Sequence, residues 1–225
     1  MREAFTSPIF GIALTLAASL LGAYVNKKTG LSVLNIVVVG AVTVGVVLVA
    51  FRIPYEDYNV GGSLFTMLLT PATAVMAVNI YDRRELLKKD WIPILVGCVV
   101  GVLASVGSVW LLCHLFGLDQ ILTTSLLPKS VTTAIAMALS EAKGGIPSIT
   151  VAAVTLTGQL GFIVAPFLIR LFRIKSPVAA GLGIGACSHA LGTSKALELG
   201  ETEGAMSSLS MGMCGLITAL LVLFL

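Results

Sequence analysis

Two short polar runs interrupt a chain that is otherwise mostly hydrocarbon. In "KSVTT", Lys129, Ser130, Thr132 and Thr133 are close neighbours; in "CSHALGTSKALE", Ser188, His189, Gly192, Thr193, Lys195 and Glu198 follow one another closely. Hydroxyls and an ammonium are donors suited to a small anion. An imidazole, with an ordinary pKa of about 6.5, can add a titrating proton. Where a helix breaks inside a membrane, freed backbone N–H groups join these side chains, and the positive end of the following half-helix favours negative charge. Facing breaks would form a pocket for a small carboxylate, with Lys129, Ser130, Thr132, Thr133, Ser188, His189, Gly192 and Thr193 as its candidate binding residues. His189 is the first candidate for coupling a proton to the substrate and Glu198 the next.

The elements that must position these runs follow from composition. Of 225 residues, 57% are hydrophobic and 11% charged. A soluble domain carries about 25% charged residues, so too few polar groups remain to cover a water-facing surface. Apolar runs of spanning length recur throughout, and the whole chain, 1–225, reads as a single all-α polytopic membrane domain. Six full transmembrane helices are expected near 8–25, 31–51, 63–81, 91–116, 147–172 and 205–225. The first, followed by Lys27 and Lys28, reads as a spanning helix and not as a cleaved signal. Segments 119–145 and 176–203 are apolar but interrupted, the first by Pro128 and Lys129, the second by Gly181, Gly183 and Gly185, which weaken a helix.

Charge placement bears on how the interrupted segments run. Basic connections at Lys27–Lys28, Arg83–Lys89 and Arg170–Lys175 alternate with acidic or near-neutral ones at Glu56–Asp57 and Asp119. The positive-inside rule places all three basic connections in the cytoplasm only if 119–145 enters and leaves by the outer face. That favours re-entrant hairpins, with both termini outside, and leaves broken spanning helices as the alternative. An internal repeat points the same way. Leu112/Leu168, Leu115/Leu171 and Phe116/Phe172 match at a shift of 56, Ser130/Ser188, Ala138/Ala196 and Leu139/Leu197 at 58, and Gly145/Gly204 and Ser148/Ser207 at 59. The units, approximately 91–145 and 147–203, would each be one spanning helix plus one interrupted segment, inverted with respect to one another. Inverted repeats with discontinuous helices characterise secondary transporters.

Other polar positions have plainer expectations. Lys195, Glu201 and Glu203 read as a solvated hairpin end, with a Lys195–Glu198 pair one turn apart. His114 reads as interfacial, Gln159 as a buried partner for a hairpin, and Pro71 as a kink that could bring Thr70 and Thr73 near the pocket. Cys98, Cys113, Cys187 and Cys214 lack C-x-x-C spacing and read as small buried hydrophobes, with no metal site. No nucleophile–base pair, carboxylate dyad or phosphate-binding loop emerges, so neither an enzyme, a cofactor nor a nucleic-acid partner is expected.

The stretches "SLLPKSVTTAIAMALSEAKGGIPSIT" and "GIGACSHALGTSKALELGETEGAMSSLSMGMCGLITAL" resemble the signature regions of the LrgB/CidB family, and the likeness covers nearly the whole chain. The resemblance implies a multi-pass protein of the bacterial inner membrane that works with a small LrgA/CidA-type membrane partner, and a homo-oligomer is expected. It also implies one of two activities. The family is known as antiholin-like, regulating murein hydrolase activity and autolysis. Its plant relatives move glycolate and glycerate, and bacterial pairs are linked to pyruvate uptake. A pore former needs neither an inverted repeat nor a buried cationic pocket, so the residues favour proton-coupled transport of small monocarboxylates over a holin-like role.

Overall fold

The structure, a computed structural model, describes residues 5–31, 34, 36–68, 71, 81 and 84–224. The described residues are mainly helical, without strands, and form two compact units, Met1–Ala72 and Thr73–Leu225.

The first unit contains α1 (Pro8–Thr29), α2 (Ile36–Ala50) and α3 (Tyr55–Met67). Pro8 starts α1, where a missing N–H costs nothing, and Gly30 ends it at φ 63° with its N–H on the Asn26 carbonyl. α3 was expected to be mainly a connection. Its start is nevertheless written in local chemistry: Pro54 precedes it, and Glu56 and Asp57 sit in the first turn, facing the positive helix end. α1 and α3 touch through Gly11 and Gly61, and Thr15 Oγ1 meets Tyr58 Oη at 2.9 Å.

The second unit contains α4 (Arg84–Leu115), α5 (Gln120–Leu126), α6 (Thr133–Ala142), α7 (Pro147–Leu171), α8 (Pro177–Leu199) and α9 (Glu201–Phe224). Among the described residues, four helices are long and apolar enough to cross a membrane: Pro8–Thr29, Trp91–Leu115, Pro147–Leu171 and Glu201–Val222. Of the other two expected spans, 31–51 contains the 15-residue α2, and 63–81 lies mostly outside the described residues, as do Thr70 and Thr73.

α5 and α6 are the two legs of a folded-back segment. Asp119 Oδ1 accepts from Leu122 N at 2.7 Å and so starts α5. On a continuous helix, Ser125 and Ser140 would stand about 22 Å apart. Here Thr150 Oγ1 lies 2.8 Å from the Ser125 carbonyl and 2.7 Å from Ser140 Oγ. The Ile146 N–H also donates to Ser125 Oγ at 2.7 Å. One hydroxyl on α7 thus holds both legs side by side.

α8 folds back as well, at His189, whose φ of 42° and ψ of −134° leave the helical region. Gly181 packs on Glu203 and Gly185 on Ser207, so the first leg runs parallel to α9. Thr193 bonds Ser207 and Leu197 packs on Gly204, so the second leg runs antiparallel to it. The glycines that were expected to break this segment are therefore helical, and the break comes later. Gly181 and Gly185 instead let two backbones approach, a common solution where lipid provides no hydrophobic drive between helices.

A Cβ at Gly185 would overlap the Ser207 backbone, whereas one at Gly183 would meet nothing within 4 Å. Gly185→Leu should therefore lower stability by about 1–3 kcal/mol. Gly183→Ala should be neutral or gain up to about 1 kcal/mol. Thermal unfolding of the purified protein in detergent measures both.

Candidate functional site

The break between α5 and α6 is a short irregular turn. Lys129 N donates to Leu126 O at 3.1 Å and Val131 N to Pro128 O at 3.3 Å. Ser105, on α4, meets this turn. It stands about 21 Å from the Trp91 end of its span and about 15 Å from the Leu115 end, near mid-depth. Ser105 Oγ donates to Ser130 Oγ at 2.7 Å, and Lys129 Nζ donates to the same oxygen at 3.1 Å. Ser130 accepts both bonds, which leaves its own proton for another acceptor. On α7, Gly161 lines the same space. It has no side chain, and Ser188, just before the break of α8, fills the space against it.

The two breaks line one cavity of about 690 Å³. Lys129, Ser130 and Ser188 stand on its wall with Ser105 and Ser108 from α4, Thr157 and Gly161 from α7, and Cys187 from α8. The cavity continues past an apolar stretch of α7 to Phe172 and Ile174. Lys129 is half-buried, and among the described residues it has no ion-pair partner and no carboxylate side chain lines the cavity. Ser105, Ser108, Thr157, Gly161 and Cys187 were not singled out from the sequence. The spacing in "ASVGS" and "TGQLG" puts small and polar residues three or four apart, on one helix face, and was the available signal. Cys187, expected to be buried, is the one exposed thiol of the four cysteines.

The remaining candidates do not line this cavity. Thr132 is buried just before α6, and its Oγ1 finds no hydrogen-bond partner among the described residues. It does not cap α6, whose first N–H groups, beginning at Thr133, have no partner within the helix. His189 was expected to present its imidazole to the pocket. Instead Nε2 lies 3.0 Å from the Val154 carbonyl, which fixes that nitrogen as the donor, and the ring packs on Gly158 of α7. Its positive φ belongs to a region that suits glycine. The Val154 bond and Thr193, which donates to the His189 carbonyl at 2.8 Å, hold it there. With the Thr193 proton committed, Ser207 donates to Thr193 Oγ1 at 2.8 Å and ties the tip to α9. Gly192 is buried against Ser188 and Ile184. Glu198 is exposed and paired with Lys195 at 2.7 Å, and that lysine lies 5.3 Å from the centre of the Phe162 ring. Gln159 is buried.

A methyl at Gly161 would overlap the Ser188 side chain. Gly161→Ala should cost about 1–3 kcal/mol by pushing the tip of α8 off its seat. Adding Ser188→Gly should recover most of that loss, a coupling that a double-mutant cycle in detergent unfolding would read directly.

The LrgB-like family profile matches residues 15–225. Similar proteins include an "Antiholin-like protein LrgB" from Bacillus subtilis (strain 168), 36% identical over 221 residues, covering 98% of this chain and 96% of that protein. Proteins of the same name from Bacillus mycoides (strain KBAB4) and Bacillus cereus (strain B4264) are each 36% identical over 217 residues, 96% of this chain and 94% of theirs. No solved structure matches the chain. With its apolar spanning helices and these relatives, the chain is a multi-pass helical membrane protein that belongs to the LrgB-like family.

Proposed function

We propose that this protein transports small monocarboxylates of the pyruvate, glycolate or glycerate type across a bacterial inner membrane. The supporting observation is Lys129, half-buried at mid-depth on a cavity wall without a carboxylate partner among the described residues. An uncompensated ammonium inside a membrane protein is costly and marks a functional site. A substrate carboxylate supplies its counter-charge. The free Ser130 proton is placed to join it, and Ser188 supplies a hydroxyl for a keto or hydroxy oxygen, while the Ser105 and Ser108 protons are already donated to Ser130 Oγ and the Ser105 carbonyl.

In this proposal the α5–α6 hairpin and the folded α8 enter from opposite faces and meet at the cavity, as units 91–145 and 147–203 of an inverted repeat. The Ser105–Ser130 contact in the first and the Gly161–Ser188 contact in the second fall at matching positions, which supports that relation. Arg170 in the last turn of α7, and Arg173 and Lys175 just beyond it, then share the cytoplasmic face with Lys88 near the start of α4. Proton coupling is left without a direct carrier, because His189 bonds Val154 and Glu198 pairs with Lys195 away from the cavity wall.

The names of the relatives favour a second role, antiholin-like restraint of murein hydrolase activity, exercised with a small LrgA-type partner or as a homo-oligomer. The two roles are compatible if autolysis responds to membrane energetics that carboxylate flux alters.

Proteoliposomes separate the roles. The wild-type chain should take up labelled pyruvate or glycolate, and the substrate should slow maleimide labelling of Cys187, which shares the cavity wall with Lys129. Lys129→Ala should fold yet bind the carboxylate about 100-fold more weakly, a loss of roughly 3 kcal/mol. Wild-type protein that neither transports nor protects Cys187 would leave only the antiholin-like role. An alanine variant with unchanged protection would remove Lys129 from the site.

A further inference from the structure

The cavity that holds Lys129 is larger than pyruvate needs. At a water molecule's share of roughly 30 Å³ each, the six heavy atoms of pyruvate fill no more than about 180 Å³. The cavity measures about 690 Å³, within the range of about 300–1,000 Å³ that encloses much larger ligands.

The additional space is apolar. From Gly161, which faces Ser188, toward the end of α7, that helix contributes Val164, Ala165, Leu168 and Ile169 to the wall, with Phe172 beyond. Residues three, four and seven apart share a helix face, so these side chains continue from Gly161 as one stripe. Its length from Gly161 to Phe172 is about 16 Å. Before its break, α8 adds Ala180, Gly183 and Ile184 to the same limb, and its polar wall residues, Cys187 and Ser188, come only at the break. A Cβ at Gly183 would meet nothing within 4 Å, so the limb has room beside it. Polar groups therefore gather at one end of the cavity, around Lys129, Ser130 and Ser188, and hydrocarbon lines the other.

We infer that this limb is a tail site, and that the preferred substrates are 2-oxo and 2-hydroxy monocarboxylates carrying an aliphatic tail. The inference rests on the carboxylate site proposed above. Lys129 takes the charged end and so fixes which end of the molecule enters the limb. A tail of a few carbons then lies against Val164 and Ala165, one helical turn past Gly161. Each carbon that leaves water for this wall adds to binding, which pyruvate, glycolate and glycerate are too short to exploit.

The test measures maleimide labelling of Cys187, the one exposed thiol of the four cysteines, in wild-type proteoliposomes with pyruvate or 4-methyl-2-oxopentanoate. The longer acid should give half-protection at about 10- to 50-fold lower concentration, from three further buried carbons. Gly183→Leu fills the limb without meeting backbone and should reduce that preference about tenfold. Val164→Thr keeps the shape of the wall, places a hydroxyl against the tail, and should also reduce the preference. Equal half-protection by the two acids in the wild-type chain, the outcome if lipid chains occupy the limb, would overturn the tail site and leave the Lys129 site standing. A preference unchanged in both variants would overturn it as well. Protection by neither acid would instead overturn the carboxylate site, and the tail site with it.

Discussion

Inside a membrane, backbone N–H and C=O groups have no water to turn to, so every break in a helix must be satisfied by the protein or by what it binds. The two breaks of the second unit meet this demand differently. At His189 the accounts close: Nε2 bonds Val154, Thr193 returns to the His189 carbonyl, and Ser207 holds Thr193. At Pro128–Thr132 they stay open. The Thr132 hydroxyl has no partner among the described residues, and the start of α6 has no side-chain cap from it. One tip is a fixed post, and the other carries unspent hydrogen-bonding capacity beside a lysine.

The surrounding helices exist to hold these tips in place. Where hydrocarbon surrounds the protein, burying apolar surface between helices gains little, and close backbone contact and hydroxyl bonds take over. Thr150 clamps Ser125 and Ser140, and so fixes the legs of the first hairpin against α7. Gly181 and Gly185 bring the first leg of α8 against α9, while Ser210 Oγ donates to the Leu182 carbonyl at 2.8 Å. These contacts lie away from the cavity, so they can set the position of Ser188 without competing for a ligand.

Electrostatics links that scaffold to a role. The wall shared by the two tips contains one cation, several hydroxyls and otherwise apolar surface. In the transport reading proposed above, a site of that kind would discriminate by charge and by the number of oxygens on a small molecule. The Bacillus relatives are named antiholin-like, and the proposed transport and antiholin-like roles need not exclude one another.

Much of this was legible in the chain itself. Low charge and repeated apolar runs dictate a helical membrane protein, because uncovered hydrocarbon of that extent has no other stable home. Hydroxyls beside Lys129 and Ser188 stand out against hydrocarbon, and both tips do reach one cavity. The segment at Glu56–Asp57, expected to be a connection, opens α3 instead, with Pro54, Glu56 and Asp57 as local helix-start signals. Tertiary structure alone decided the rest. Whether Gly185 unwinds a helix or admits Ser207 depends on a neighbour that sequence spacing does not name. His189 could face the cavity or α7 with equal local plausibility, and the Val154 carbonyl drew it to α7. Ser105 and Cys187 joined the cavity because α4 and the first leg of α8 cross there. Residue type sets what a side chain can bond, but the partner it finds is a property of packing between segments far apart in the chain.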